Sequence, residues 1–164
     1  MTTLTGCTQP NIVEYAVNND RDNIKKALDN GIHIDSINSN GTTMLLAAAL
    51  SGHTELVEFL LENGANPNLT NVQGTTPLYG ASLLGFNKIV KILLVNGANP
   101  NHNIGNIYGT PLMIAIANEH VEVVELLLSH GVDLTITNSE GKTAIELALS
   151  SEQKEAFSKL LSGS

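Results

Sequence analysis

Five histidines, one cysteine and sixteen carboxylates are the side chains with which this chain could bind a metal, attack a substrate or move a proton. His33, His102 and His130 stand apart, with no partner at i+4 and no cysteine nearby, so the ligand spacing of a zinc site is missing. No serine lies in a Gly-x-Ser-x-Gly turn, and Cys7 has no histidine placed by motif to activate it. Gly105-Asn-Ile-Tyr-Gly109 has the glycines of a phosphate loop but lacks the Lys-Ser/Thr ending and a preceding strand. Glu55, Glu58 and Glu62, with Glu122 and Glu125, fall at helical spacing, as expected of a solvated helix face rather than an acid–base pair. No catalytic residue, metal ligand or cofactor is predicted, and enzyme activity is not expected.

What remains is the framework, and it is periodic. Asn63-Gly-Ala-Asn-Pro-Asn68 recurs at Asn96-Gly-Ala-Asn-Pro-Asn101, 33 residues later. Gly31, Gly64, Gly97 and Gly131 are spaced by 33, 33 and 34, and Thr43, Thr76, Thr110 and Thr143 by 33, 34 and 33. Both markers slip together, which places one inserted residue between Asn99 and Thr110. A period of this length denotes stacked helical units rather than one closed core. Thr76 before Pro77 predicts a helix start, a hydroxyl capping free amides and a proline where no donor is needed. Gly52 and Gly85 then supply left-handed residues. A second apolar run follows at Leu56, Val57, Phe59, Leu60 and Leu61, and again at Ile89, Val90, Ile92, Leu93 and Leu94, forming one broad helix face. Asn71-Val-Gln-Gly74 and Asn138-Ser-Glu-Gly141 predict the tips of connecting hairpins.

Gly74-Thr-Thr-Pro-Leu-Tyr-Gly-Ala81 resembles the ankyrin signature Gly-x-Thr-Pro-Leu-His-x-Ala, and Gly109-Thr-Pro-Leu-Met-Ile-Ala115 keeps most of it. Ser51 to Leu61 and His120 to Leu128 resemble the second helix of that family. The resemblance covers residues 11–161 and implies an all-α repeat solenoid of helix-turn-helix units joined by short β-hairpin loops. A flexible segment, 1–10, is expected to precede a single domain with units near 11–37, 38–70, 71–104, 105–137 and 138–161. In the last unit, Gln153, Lys154, Glu155, Ser158 and Lys159 predict a polar cap. By the resemblance, His53 and His120 tie loop backbone together. Phe86 and Tyr79 replace family histidines and are expected to pack. Glu119 stands where Gly52 and Gly85 stand, so either that turn differs or strain of about 1 kcal/mol is tolerated.

The family resemblance implies a protein-binding module whose concave surface runs along the hairpin tips and the exposed edge of each first helix. On this chain the candidate contact residues are Leu50, Ser51, Val72, Gln73, Thr75, Leu83, Leu84, Asn106, Ile107, Tyr108, Ala117 and Asn118. Leu50, Leu83 and Leu84 are apolar where stability makes no demand for it, and grouped exposed apolar residues mark contact sites. Tyr108 and Ile107, on the inserted loop, either anchor a partner or fold back to fill the altered turn.

Composition bounds the partner. With 8 Lys and Arg against 16 Asp and Glu, the net charge is −8, which excludes the basic patch needed by a nucleic-acid binder and disfavours an anionic membrane. An unidentified protein partner is expected, met as an adaptor, inhibitor or targeting subunit. A small-ligand or metal-binding role, and self-association through Leu83 and Leu84, are the alternatives to a monomeric module. The single cysteine and the lack of a signal-like start predict a cytoplasmic protein, although one delivered into a host cell would share these features. Abundant asparagine and isoleucine match an AT-rich genome such as a microbe's.

Overall fold

The computed structural model describes residues 11–106 and 108–162; the segments 1–10 and 163–164 and Ile107 lie outside them. Its ten helices, among the described residues, form five antiparallel pairs: α1 (Ile12–Val17) with α2 (Arg21–Asp29), α3 (Met44–Leu50) with α4 (Thr54–Glu62), α5 (Pro77–Leu83) with α6 (Asn87–Val95), α7 (Pro111–Ala117) with α8 (Val121–Leu128), and α9 (Ala144–Ser150) with α10 (Lys154–Leu161). The first helices pack in one row from α1 to α9, and the second helices in another from α4 to α10. The only bridges among the described residues are isolated ones, Ile37 to Thr43 and Thr137 to Thr143.

Local chemistry repeats with the sequence. The Thr43 and Thr76 hydroxyls accept the amides of Leu46 and Tyr79 at 3.1 Å, and Thr110 and Thr143 accept those of Met113 and Glu146 at 3.4 Å. Pro77 and Pro111 occupy the first helical turn as expected. Gly52 and Gly85 bend the chain left-handed between helices, and Glu119 does the same at φ 60, so strain is tolerated there and the turn is conserved in shape. Its carboxylate gains a compensating bond, accepting the Ser151 hydroxyl at 3.2 Å from the next pair.

No pair buries its own apolar face; its neighbours do. Leu45, Leu78 and Leu112, and likewise Leu60, Leu93 and Leu127, are 2% exposed or less. Truncating one of them to alanine removes about 2–5 kcal/mol. Histidines fasten consecutive pairs as the sequence suggested. The Nε2–H of His53 donates to the Val17 carbonyl at 2.8 Å, and that of His120 to the Leu83 carbonyl at 3.0 Å. Phe86 replaces this tie with packing against Gly52, where an added Cβ would come within 3.0 Å of the ring.

A second line of ties runs along the loops and is made of amides. The Asp35 carboxylate accepts the Asn66 amide at 3.0 Å, the Asn68 side-chain oxygen accepts Asn99 at 2.7 Å, and that of Asn101 accepts Asp133 at 2.8 Å. Asn38, Asn71 and Asn138 each hold their hairpin by accepting amides two and four residues on. Asparagine is thus placed where a short neutral acceptor closes a turn.

The end of the stack departs from expectation in one respect. α10 is polar outward, but α9 exposes Ile145 (41%) and Leu149 (60%), whose counterparts in the three preceding pairs are buried. The cap is polar on its second helix only.

Candidate functional site

One side of the stack, the concave side that the family resemblance implies, carries α3, α5, α7 and the hairpins before them. Between the third and fourth pairs it deepens into a groove of about 360 Å³. One hairpin contributes Gln73 and Thr75, α5 contributes Tyr79 and Leu83, the inserted hairpin Ile104, Asn106 and Tyr108, and α7 with its end Ile114, Ala117 and Asn118. The insertion shapes this place. The Ile104 amide pairs with the Gly109 carbonyl at 3.0 Å, while the Asn106 side chain accepts the amides of Tyr108 (2.8 Å) and Gly109 (3.0 Å). Asn106 therefore does the work that Asn71 and Asn138 do in regular hairpins, from a shifted position. The same side chain lies beside the Tyr79 phenol. Burial pushes that phenol above its ordinary pKa, partly opposed by Asn106, so Tyr79 stays a neutral O–H in the groove wall.

Seven of the twelve sequence candidates line this groove: Gln73, Thr75, Leu83, Asn106, Tyr108, Ala117 and Asn118. Tyr108 is 41% exposed, which places its ring at the groove and not folded into the turn. Val72, 70% exposed, projects from a hairpin tip, and Leu84 lies at the end of α5; neither lines the groove. Ile107 falls outside the described residues. Leu50 and Ser51 sit half-buried one step back along the stack. Leu50 requires a correction, because stability does make a demand there: it covers the bare backbone of Gly80, where an added Cβ would stand 2.8 Å from its Cδ2. Sequence reasoning missed Tyr79, Ile104 and Ile114 as groove residues. The i, i+4 spacing of Tyr79 and Leu83 on one short helix was the available signal for the first.

The other sequence candidates for chemistry are dispersed. His102 spends its Nε2–H on the Gly74 carbonyl at 2.9 Å, and the glutamates Glu55, Glu58, Glu62, Glu122 and Glu125 are exposed on second helices. Among the described residues, no group of three or more His, Cys, Asp or Glu is placed to hold a metal ion, and no helix is long and apolar enough to cross a membrane.

Comparison with known proteins agrees with this architecture. A family model described as ankyrin repeats (3 copies) matches residues 12–104, and one described as ankyrin repeats (many copies) matches residues 93–148. The chain belongs to the ankyrin-repeat family. A putative ankyrin repeat protein of Rickettsia bellii (strain RML369-C) is 42% identical over 59 residues, which is 35% of this chain and 35% of that protein. The match thus spans about a third of the relative's length. Members of the family are generally protein–protein interaction modules and typically non-catalytic.

Proposed function

We propose that this chain is a non-catalytic binding module that holds a partner protein in the groove between its third and fourth helix pairs. The observation that carries this reading is the convergence of Leu83, Tyr108 and Asn118, from three separate elements, on one open groove of about 360 Å³. The walls are already fixed by stacked helices and hairpin bonds, so little ordering is required when a partner arrives. The role is that of an adaptor, inhibitor or targeting subunit, exercised as a monomer. The test is affinity capture from source-organism lysate with the wild type beside Leu83→Asp/Tyr108→Ala. A protein retained only by the wild type, with helical circular dichroism and Tm of the variant nearly unchanged, is the expected result. Equal recovery with both would move the site off the concave surface.

A further inference from the structure

The groove is lined by no charged residue, although the chain as a whole is strongly acidic; the carboxylates Glu119 and Glu152 line the adjoining hollow that shares Ala117 with it. Residues 36–54, 63–87 and 96–118 contain no Asp, Glu, Lys or Arg. These segments supply the hairpins, α3, α5 and α7, and hence the concave side of three consecutive pairs. Their carboxylates and lysines lie instead on the second helices, as with Glu55, Glu58, Glu62, Lys88 and Lys91. The charges on the next hairpin cancel, Lys142 pairing with Glu140 at 3.1 Å.

Within the groove the chemistry is divided. Leu83, Ile104, Ile114 and Ala117 give it apolar walls. The amides of Gln73, Asn106 and Asn118 and the Tyr79 hydroxyl supply hydrogen-bonding groups. The Asn106 side-chain oxygen is committed to its own turn, and the Asn118 side-chain N–H to the Ile114 carbonyl at 2.9 Å. A charged side chain entering here would lose part of its hydration and meet no counter-charge among the lining residues. A large apolar side chain would lose only unfavourable water contact, and the backbone carrying it would find neutral donors and acceptors along the rim.

We infer that the partner presents an uncharged extended segment with one bulky aliphatic or aromatic side chain, seated between Leu83, Ile104 and Tyr108 over a floor of Tyr79 and Ile114. This inference rests on the concave-groove reading and adds the chemistry of the occupant. Selection follows from mismatch as much as from fit, since a charged side chain finds nothing to pair it among the residues that line the groove.

The test uses random peptides displayed on phage, selected on the immobilised full chain, with Ala117→Glu and Tyr79→Phe as companions. Ala117 is exposed on its helix, so the glutamate places a charge in the groove without disturbing the core. Enriched peptides should lack charged residues around a shared large apolar position. Their Kd should change less than about twofold between about 50 mM and 500 mM salt, because no ion pair is there to be screened. Ala117→Glu should weaken them more than about tenfold, and Tyr79→Phe about fivefold through loss of one hydroxyl. Basic or acidic peptides that bind salt-dependently and are perturbed by Ala117→Glu would overturn the neutral-segment inference while leaving the groove as the site. Peptides indifferent to both substitutions, or no enrichment over Leu83→Asp/Tyr108→Ala, would overturn the groove itself.

Discussion

The turn at Gly85 offers a quantitative test of how the stack is fastened. Gly85 is left-handed at φ +70, and an added Cβ would stand 2.7 Å from Nδ1 of His120 and 2.8 Å from its Cε1. That ring cannot retreat freely, because its Nε2 is bonded to the Leu83 carbonyl. Gly97 is also left-handed, at φ +83, with nothing within 4 Å of an added Cβ. Gly97→Ala therefore meets backbone strain alone, about 1–2 kcal/mol. Gly85→Ala meets the same strain, loses a hydrogen bond of about 1 kcal/mol and forces the ring off its preferred rotamer for about 1 kcal/mol more, so about 3–4 kcal/mol in total. The entropy that alanine removes from the unfolded chain is common to both and cancels in the comparison. Urea unfolding followed by helical circular dichroism, with the slope checked for constancy, should separate the two variants by about 2 kcal/mol. In Tm the gap is about 2–4 °C per kcal/mol for a chain of this length. The same pair of substitutions made in a His120→Ala background should become equal. Equal losses in the wild-type background, or a gap that survives removal of the histidine, would refute the claim that this glycine exists to admit the tie.

Ser82 is fully buried and its hydroxyl finds no partner among the described residues, so Ser82→Ala should stabilise the fold by about 1–2 kcal/mol in the same unfolding assay; a loss of stability would reveal a bond to that oxygen. Asp20, Asp133 and Glu146 are held below their ordinary pKa values, chiefly by hydrogen bonds from Asn23, Thr135 and Thr143 respectively. Because the folded values are depressed, their support is complete above the usual 3.8 for Asp and 4.5 for Glu and is withdrawn as pH falls through the folded values. Hydrogen exchange between about pH 6 and pH 3, corrected for intrinsic rates, should show α2 and α9 loosening before α5 and α7; a uniform loss would contradict this. Ile145→Lys with Leu149→Lys should leave stability within about 0.5 kcal/mol and reduce light scattering at high concentration, whereas a drop of several degrees in Tm would mean those side chains are covered in solution.

The helical stack was legible because each repeat states it redundantly. A capping threonine, a left-handed glycine and an apolar run recur at fixed spacing, and an error at one site is corrected by the next. The groove was legible only in part. Gln73, Thr75 and Leu83 sit at regular positions and could be placed by counting, but Ile104 and Asn106 exchange roles because of one inserted residue. Spacing alone could not say which side chain would cap that turn. Leu50 was misjudged because its partner is an absence: Gly80 has no side chain, and only packing shows that the leucine fills the space. The exposed face of α9 escaped notice for a similar reason, since Ile145 and Leu149 match the repeat pattern and differ only in having no pair stacked upon them.

The separation of charge from groove has a kinetic consequence. Long-range attraction speeds encounter only where the field points toward the contact, and here the acidic groups of the middle pairs decorate the outer helices. A neutral segment approaching the concave side is unsteered, so its association rate falls in the ordinary range of about 10⁵–10⁶ M⁻¹s⁻¹. Tight binding would then be achieved through slow departure, with residence time set by how completely one apolar side chain is enclosed. Substitutions in the groove should change the dissociation rate and leave the association rate nearly fixed, while substitutions among the outer glutamates should change neither.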